Sequence, residues 1–264
     1  MQMTFTFDEY RACLEIGLKR FDRVTGAARF LSEPKSTRAD GSVLILRHDC
    51  ERDLGKAVRM AEIEKYLGIS ASYFIRIHSE YYNLMLHRDR ERVRNIAALG
   101  HEIGLHYEPS FYLRDGVEFI VGVKQDLAVL RMILDNETPM HTMSPHQPTL
   151  VAPDFAELER HGMVDLYAHD AFRTLSYFSD SGMVWREKNL RQVVETEQRC
   201  QLLVHPDFWN DEEIDWIENL DRLCVRCHSD LDAVAAHEKS VLQNYLAKRE
   251  EHDARFRVTL RQRP

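Results

Sequence analysis

The chain has 264 residues, of which 44% are hydrophobic and 30% are charged, a composition typical of globular proteins. Its net charge of −8 argues against a broad nucleic-acid-binding surface. No uncharged apolar run is long enough to predict a membrane span. The first residues lack the basic start and apolar core of a signal peptide, so we expect a cytoplasmic protein with reduced cysteines.

The polarity pattern predicts an N-terminal helix over about 7–21, a polar loop at 32–42 and then alternating strands and helices. Strands are predicted at 43–47, 71–77, 101–107, about 139–144, 163–169, 174–179 and 201–206, and helices at 53–68, 89–100, 117–134 and 154–162. This order predicts an α/β fold with a parallel sheet flanked by helices, either open or closed into a barrel.

The last part of the chain, about 211–264, has a charged, helical pattern. We interpret it as an amphipathic extension, and as a surface for homo-oligomers, within a single domain over 1–264. Cys224, Cys227 and His228 match the pattern for haem attachment. The expected cytoplasmic location argues against haem, and no second CxxC pair is present for a zinc site, so the segment is left without a role.

Ionisable residues gather where the predicted strands end. They are His48 and Asp49, His106 with Tyr107 and Glu108, His146, Asp180, and His205. Because the carboxyl ends of parallel strands lie at one edge of a sheet, we expect these side chains to share a site. A carboxylate with two or three imidazoles suits Zn²⁺ or a similar ion, which predicts metal-assisted hydrolysis of an amide or ester.

Structural roles are the alternative for each of these residues taken alone. Asp49 could cap the following helix, and a single histidine at a strand end is usually structural. His78 and His169 also lie near strand ends and stay open as site residues.

Several strings resemble the polysaccharide deacetylases, the family of chitin, chitooligosaccharide and peptidoglycan N-deacetylases. They are LILRHDCERD, AEIEKYLGISASYFIR, ALGHEIGLHYE, SPHQP, YFSDSGMVW and LLVHPDFW, in the expected order over about 43–209. The first motif is similar to that of a bacterial branch that has Arg-His-Asp in place of Asp-Asp-Gly. The resemblance implies a deformed (β/α)7 barrel of mostly parallel strands. It also implies a divalent metal, commonly zinc, and removal of an acetyl group from an N-acetylated sugar.

The resemblance places metal ligands at Asp49 and His106 and the general acid at His205. His48 occupies the position of the family's general base. The second metal-binding histidine of the family falls on Ser110, which cannot replace it.

His146 occupies the position of an arginine that holds the base carboxylate in the family, and we expect it to complete the metal site. Glu108 and His48 are the alternatives for this third ligand. Asp180 is expected to orient a catalytic histidine. Trp185, Tyr107 and Glu108 are expected to line the substrate site.

We therefore expect a metal-dependent deacetylase acting on an acetamido sugar or glycan precursor in the cytoplasm. Two other hypotheses remain open: a metal-independent amide or ureide hydrolase on the same barrel, and a non-catalytic carbohydrate-binding protein.

Overall fold

The structure is a computed structural model that describes residues 4–135, 140–249, 251 and 253. The chain divides into two compact units, Met1–Ile214 and Asp215–Pro264. None of the described helices is long and apolar enough to cross a membrane.

The first unit is built on one curled parallel sheet with surrounding helices. Its strands are Arg23–Thr25 (β1), Val43–Cys50 (β2), Ser72–Arg76 (β3), Glu102–Tyr107 (β4), Thr142–Pro145 (β5), Val164–Asp165 (β6), Ser176–Ser179 (β7) and Arg199–Val204 (β8). Their order is β6-β5-β4-β3-β2-β8-β7, with β1 paired to the first residues of β2. Seven parallel strands thus form a half-barrel, which confirms the predicted deformed (β/α)7 fold.

The helices lie between and after the strands. Their bounds are Phe7–Arg20 (α1), Ala27–Ser32 (α2), Lys35–Ala39 (α3), Leu54–Tyr66 (α4), His87–Ala98 (α5), Pro109–Arg114 (α6), Phe119–Ile133 (α7), Phe155–Arg160 (α8), Asp170–Arg173 (α9), Leu190–Thr196 (α10) and Trp216–Ala247 (α11).

The seven predicted strands and the long helices are present, but short elements were missed. The polar loop predicted at 32–42 contains α3, and β6 has only two residues where 163–169 was predicted. Elements of two to six residues are set by tertiary contacts, because such short segments carry little periodicity. The strand predicted at about 139–144 begins at residue 139, which lies outside the described residues.

Central strand β2 is buried along its whole length. Because successive side chains of a strand point to opposite faces, Arg47 and Asp49 face the inside of the half-barrel, whereas His48 and Cys50 face the helices. Gly104 on β4 permits the tight packing of this interior, since a Cβ atom there would lie 2.5 Å from Phe74 Cε1.

The second unit contains α11. Asp215 is the N-cap of this helix, and its Oδ1 accepts a hydrogen bond from the Glu218 backbone N–H at 2.9 Å. Cys224, Cys227 and His228 lie on this helix, and no disulfide joins the two cysteines. Self-association through this helix stays a prediction.

Candidate metal centre and active site

Three imidazoles converge on Glu51, which follows β2. Its Oε1 lies 3.6 Å from His106 Nε2, 3.6 Å from His146 Nε2 and 3.8 Å from His205 Nε2. Two ligands of one tetrahedral ion with bonds of about 2.1 Å lie ~3.4 Å apart. Glu51, His106 and His146 each offer a ligand atom within 4.8 Å of the other two, so their spacing is that of ligands to a shared ion.

Two buried nitrogen atoms of this cluster have no hydrogen-bond partner among the described residues. His106 Nδ1 donates to the Ser144 carbonyl oxygen at 3.0 Å, which leaves the lone pair on Nε2. Within the described part of the chain, His106 Nε2 and His146 Nδ1 have no hydrogen-bond partner although both are buried. Such atoms are costly to bury unless something else satisfies them. The residues therefore fit a divalent ion.

Asp49, predicted as a ligand, lies beside this cluster. Its Oδ2 accepts from Ser144 Oγ at 3.0 Å and from Arg47 Nη2 at 3.4 Å. Its Oδ1 is buried and has no hydrogen-bond partner among the described residues. Burial alone would raise the pKa of Asp49, but His106 and Arg47 outweigh burial and lower it.

Glu51 was missed by the sequence interpretation. It lies in the bend directly after β2, and His106 lies near both carboxylates: its Nδ1 is 3.7 Å from Asp49 Oδ2 and its Nε2 is 3.6 Å from Glu51 Oε1. Burial would raise the pKa of Glu51, but the neighbouring imidazoles of His106 and His205 outweigh burial and lower it well below its ordinary value. Glu51 is therefore a buried carboxylate that stays ionised, as a metal ligand must.

His205 is oriented by Asp180. Asp180 Oδ1 accepts from His205 Nδ1 at 2.7 Å and from the His205 backbone N–H at 3.0 Å. Asp180 Oδ2 accepts from Trp209 Nε1 at 3.0 Å. Burial would lower the pKa of His205, but the bond to Asp180 outweighs it and raises that pKa to about 9. The structure thus brings together the two residues predicted as acid and orienting carboxylate.

A second carboxylate on the β8 side fixes the turn that carries Glu51. Asp207 accepts three successive backbone N–H groups: those of Glu51 at 3.3 Å, Arg52 at 3.0 Å and Asp53 at 2.6 Å. Asp53 in turn caps α4 by accepting from the Gly55 N–H at 2.9 Å. No sequence motif predicts this contact, because it joins segments about 150 residues apart.

The structure separates His48 from the cluster. His48 Nε2 lies 2.6 Å from Glu64 Oε1 on α4, and its ring packs on Tyr73 at a centroid distance of 4.3 Å. This contact lies on the helix side of β2, whereas Asp49 faces the interior. His48 is thus held by Glu64 on the other side of the strand, so the geometry does not support its predicted role as a base or as a third ligand.

Tyr107 is separated in the same way. It follows His106 on β4 and therefore points to the opposite face, where its hydroxyl donates to Asp165 Oδ2 at 2.8 Å. It is fully buried, so contact with a substrate is not supported. Glu108, in contrast, stays near the cluster: its Oε1 lies 3.4 Å from His146 Nδ1 and accepts from Arg76 Nε at 2.6 Å.

Trp185 lies in an aromatic group next to the Asp180 pair. Its ring stacks with Phe5 at a centroid distance of 6.3 Å, and Phe5 contacts Trp209 at 5.3 Å. Trp209 is the indole that donates to Asp180. Trp185 is half-buried, and its contact with a sugar stays a prediction.

The two histidines left open lie elsewhere. His78 Nε2 is 3.0 Å from Asp126 Oδ1, and its ring stacks on Phe111. His169 caps α9 by accepting from the Ala171 N–H at 3.2 Å.

No family model matches the chain, and no curated protein matches it. Among solved structures, a chitin deacetylase from Colletotrichum lindemuthianum is 15% identical with a TM-score of 0.45, covering 70% of this chain and 81% of its own. The peptidoglycan deacetylase PdaC from Bacillus subtilis is 14% identical with a TM-score of 0.46, covering 80% and 98%. A family 4 carbohydrate esterase pseudoenzyme from Bacillus anthracis is 12% identical with a TM-score of 0.43, covering 72% and 62%. Likeness this low establishes neither a family nor an activity for this chain.

Proposed function

We propose that this protein is a metal-dependent hydrolase that removes the acetyl group from an N-acetylated sugar or sugar conjugate. The observation that carries the proposal is the convergence of His106, His146 and His205 on Glu51. Glu51, His106 and His146 would hold the ion, for which Zn²⁺ is the best candidate because imidazole and carboxylate are its usual ligands. When bound, such an ion polarises a carbonyl group and lowers the pKa of water.

Two residues beside the proposed ion site are assigned the two proton transfers of the reaction. His205, held by Asp180 through Nδ1, presents Nε2 towards Glu51 and is the proposed donor of a proton to the leaving amine. Asp49 Oδ1 has no hydrogen-bond partner among the described residues and is the proposed acceptor of a proton from the attacking water.

Arg47 supports this assignment of the base. The resemblance to the deacetylases implies a base carboxylate held by an arginine from a different motif, and His146 now occupies that place. In this chain Arg47 Nη2 lies 3.4 Å from Asp49 Oδ2 within the same strand. The arginine is fully buried and also donates to Ser144 Oγ at 2.6 Å, so it is rigidly placed beneath Asp49.

The sugar substrate rests on the resemblance and on Trp185. A half-buried aromatic ring beside the Asp180–His205 pair is a suitable wall for the apolar face of a sugar. A cytoplasmic glycan precursor as substrate also stays a prediction.

The experiment is acetate release from N-acetylated chitooligosaccharides by the purified full chain. We expect activity that is lost on chelation and recovered with Zn²⁺. The matched variants are Asp180→Asn, which should be inactive with its metal retained, and Glu62→Gln, an exposed substitution on α4 that should behave as the wild type. Activity that survives complete removal of metal supports the metal-independent hydrolase instead. Metal binding without turnover of acetamido, formamido or ureido compounds supports a binding protein.

A further inference from the structure

A cavity lies at the amino-terminal end of the sheet, where β6 and β8 begin. Its volume is about 550 Å³, within the range of about 300–1,000 Å³ that small-molecule sites occupy. Arg199 lines it and begins β8, whereas His205 follows the end of that strand. Six residues of extended strand span roughly 20 Å, so this cavity is separate from the candidate metal centre.

One part of the lining is apolar. Phe30 and Leu31 from α2 and Val164 from β6 contribute it. Phe30 is 1% exposed and belongs to the core cluster against which the partly buried Leu31 and Val164 pack, so these two side chains form a supported apolar wall. A flat apolar group placed against it would be removed from water without rearrangement of the core.

The polar part of the lining consists mainly of hydrogen-bond donors. Lys35, Arg38 and Arg199 contribute cations, and Asp170 is the carboxylate among the lining residues. His169 accepts the Ala171 N–H through Nδ1, so the neutral ring carries its proton on Nε2. A local excess of cations and donors in a chain of net charge −8 favours an anion.

Two of these cations differ in what they already bind. Arg199 donates to the carbonyl oxygens of Arg38 at 2.6 Å and Gly41 at 2.7 Å, so it holds the end of α3. Arg38 has a buried Nε without a hydrogen-bond partner among the described residues, and its guanidinium lies 5.9 Å from the Phe30 ring centroid. Arg38 is therefore the cation that an incoming group can use.

We propose that this cavity binds an organic anion whose phosphate, sulfonate or carboxylate group is attached to a flat apolar body. Arg38 and Lys35 hold the anionic group, while Leu31 and Val164 cover the apolar body. The site does not depend on the proposed hydrolase activity.

The experiment titrates the full chain with 1-anilinonaphthalene-8-sulfonate, a fluorescent aromatic anion, and displaces it with 1-naphthyl phosphate or with inorganic phosphate. We expect Arg38→Gln to lower the dye affinity about tenfold, the loss of one charge-assisted hydrogen bond. Thr174→Trp, at an exposed lining residue, should fill the cavity and remove this binding. Arg131→Gln, an exposed arginine on α7, is the matched control and should not change it.

We expect 1-naphthyl phosphate to displace the dye far better than inorganic phosphate, because only 1-naphthyl phosphate has an apolar ring that packs against the apolar part of the lining. Unchanged dye affinity in Thr174→Trp overturns the proposal, since the dye then binds elsewhere, for example on exposed apolar residues of α11. A dye that 1-naphthyl phosphate fails to displace overturns it too. If Arg38→Gln does not fold, as judged by circular dichroism, Thr174→Trp alone decides the outcome.

Discussion

Replacing His48 by Phe separates a structural role of this residue from a catalytic one. Glu64 is fully buried, and its Oε1 lies 2.6 Å from His48 Nε2. Its carboxylate also accepts hydrogen bonds from the Tyr73 hydroxyl, at 2.7 Å, and from the Tyr10 hydroxyl. Phe keeps the ring that packs on Tyr73 but removes the nitrogen that pairs with Glu64. The buried carboxylate then keeps the two hydroxyl donors and His101, whose Nδ1 lies 3.5 Å from Glu64 Oε2, but loses its closest nitrogen partner.

The expected loss of stability follows from the loss of this hydrogen bond. Removing a hydrogen bond to a buried charged group costs about 1.5–3 kcal/mol, which lowers the melting temperature of a domain this large by about 5–10 °C. Burial would raise the pKa of Glu64, but the charge and hydrogen bond of His48 lower it below the ordinary 4.5. Wild-type stability should therefore fall as pH drops through this lowered pKa, and His48→Phe should show a smaller acid-dependent loss.

The assay combines thermal melts from pH 3 to pH 7 with acetate release at 25 °C. His48 does not contact the metal cluster, so we expect kcat of the folded His48→Phe protein to stay within about threefold of wild type. The control is Glu62→Gln on the exposed face of α4, with a change in stability of about 0.5 kcal/mol or less. A drop in kcat of about 100-fold with an intact fold and metal would refute the geometric argument and restore His48 as a base.

Two further predictions concern the residues on the β8 side. Asp180→Asn should lower kcat by about 100-fold or more, because it disturbs the proposed proton donor His205. The metal content, measured by mass spectrometry, should stay that of the wild type, because Asp180 is not a proposed ligand. Loss of the metal together with the activity would contradict this prediction. Asp207→Ala should weaken the Zn²⁺ affinity about 10–100-fold in a competition with a chelator. The reason is that the turn carrying Glu51 loses the acceptor of three backbone N–H groups. An unchanged affinity would show that this turn does not position Glu51.

The strand ends could be predicted because most of the strands are apolar runs that are followed by ionisable residues. His106, His146 and His205 were placed at one edge of the sheet by this pattern, and the structure brings them to a common carboxylate. Asp180 and His205 were paired from the same pattern, and they lie 2.7 Å apart.

The sequence did not predict which face of a strand each residue occupies at the site. His48 and Asp49 are adjacent, and so are His106 and Tyr107, yet strand alternation separates the members of each pair. Applying that alternation would have placed His48 and Tyr107 on the opposite face from Asp49 and His106, but it does not extend to Glu51, which lies in the bend after β2. Asp207 could not be found this way, because its contacts with the turn after β2 depend on the pairing of β2 with β8.

The most direct test of the metal centre is the zinc content of Glu51→Gln compared with that of Asp49→Asn, each purified and dialysed against a weak chelator. Both substitutions keep the side-chain size and remove one carboxylate. We predict that Glu51→Gln loses the ion, whereas Asp49→Asn retains it at the wild-type stoichiometry but loses activity. Retention of zinc by Glu51→Gln together with its loss from Asp49→Asn would contradict the assignment and make Asp49 the carboxylate ligand.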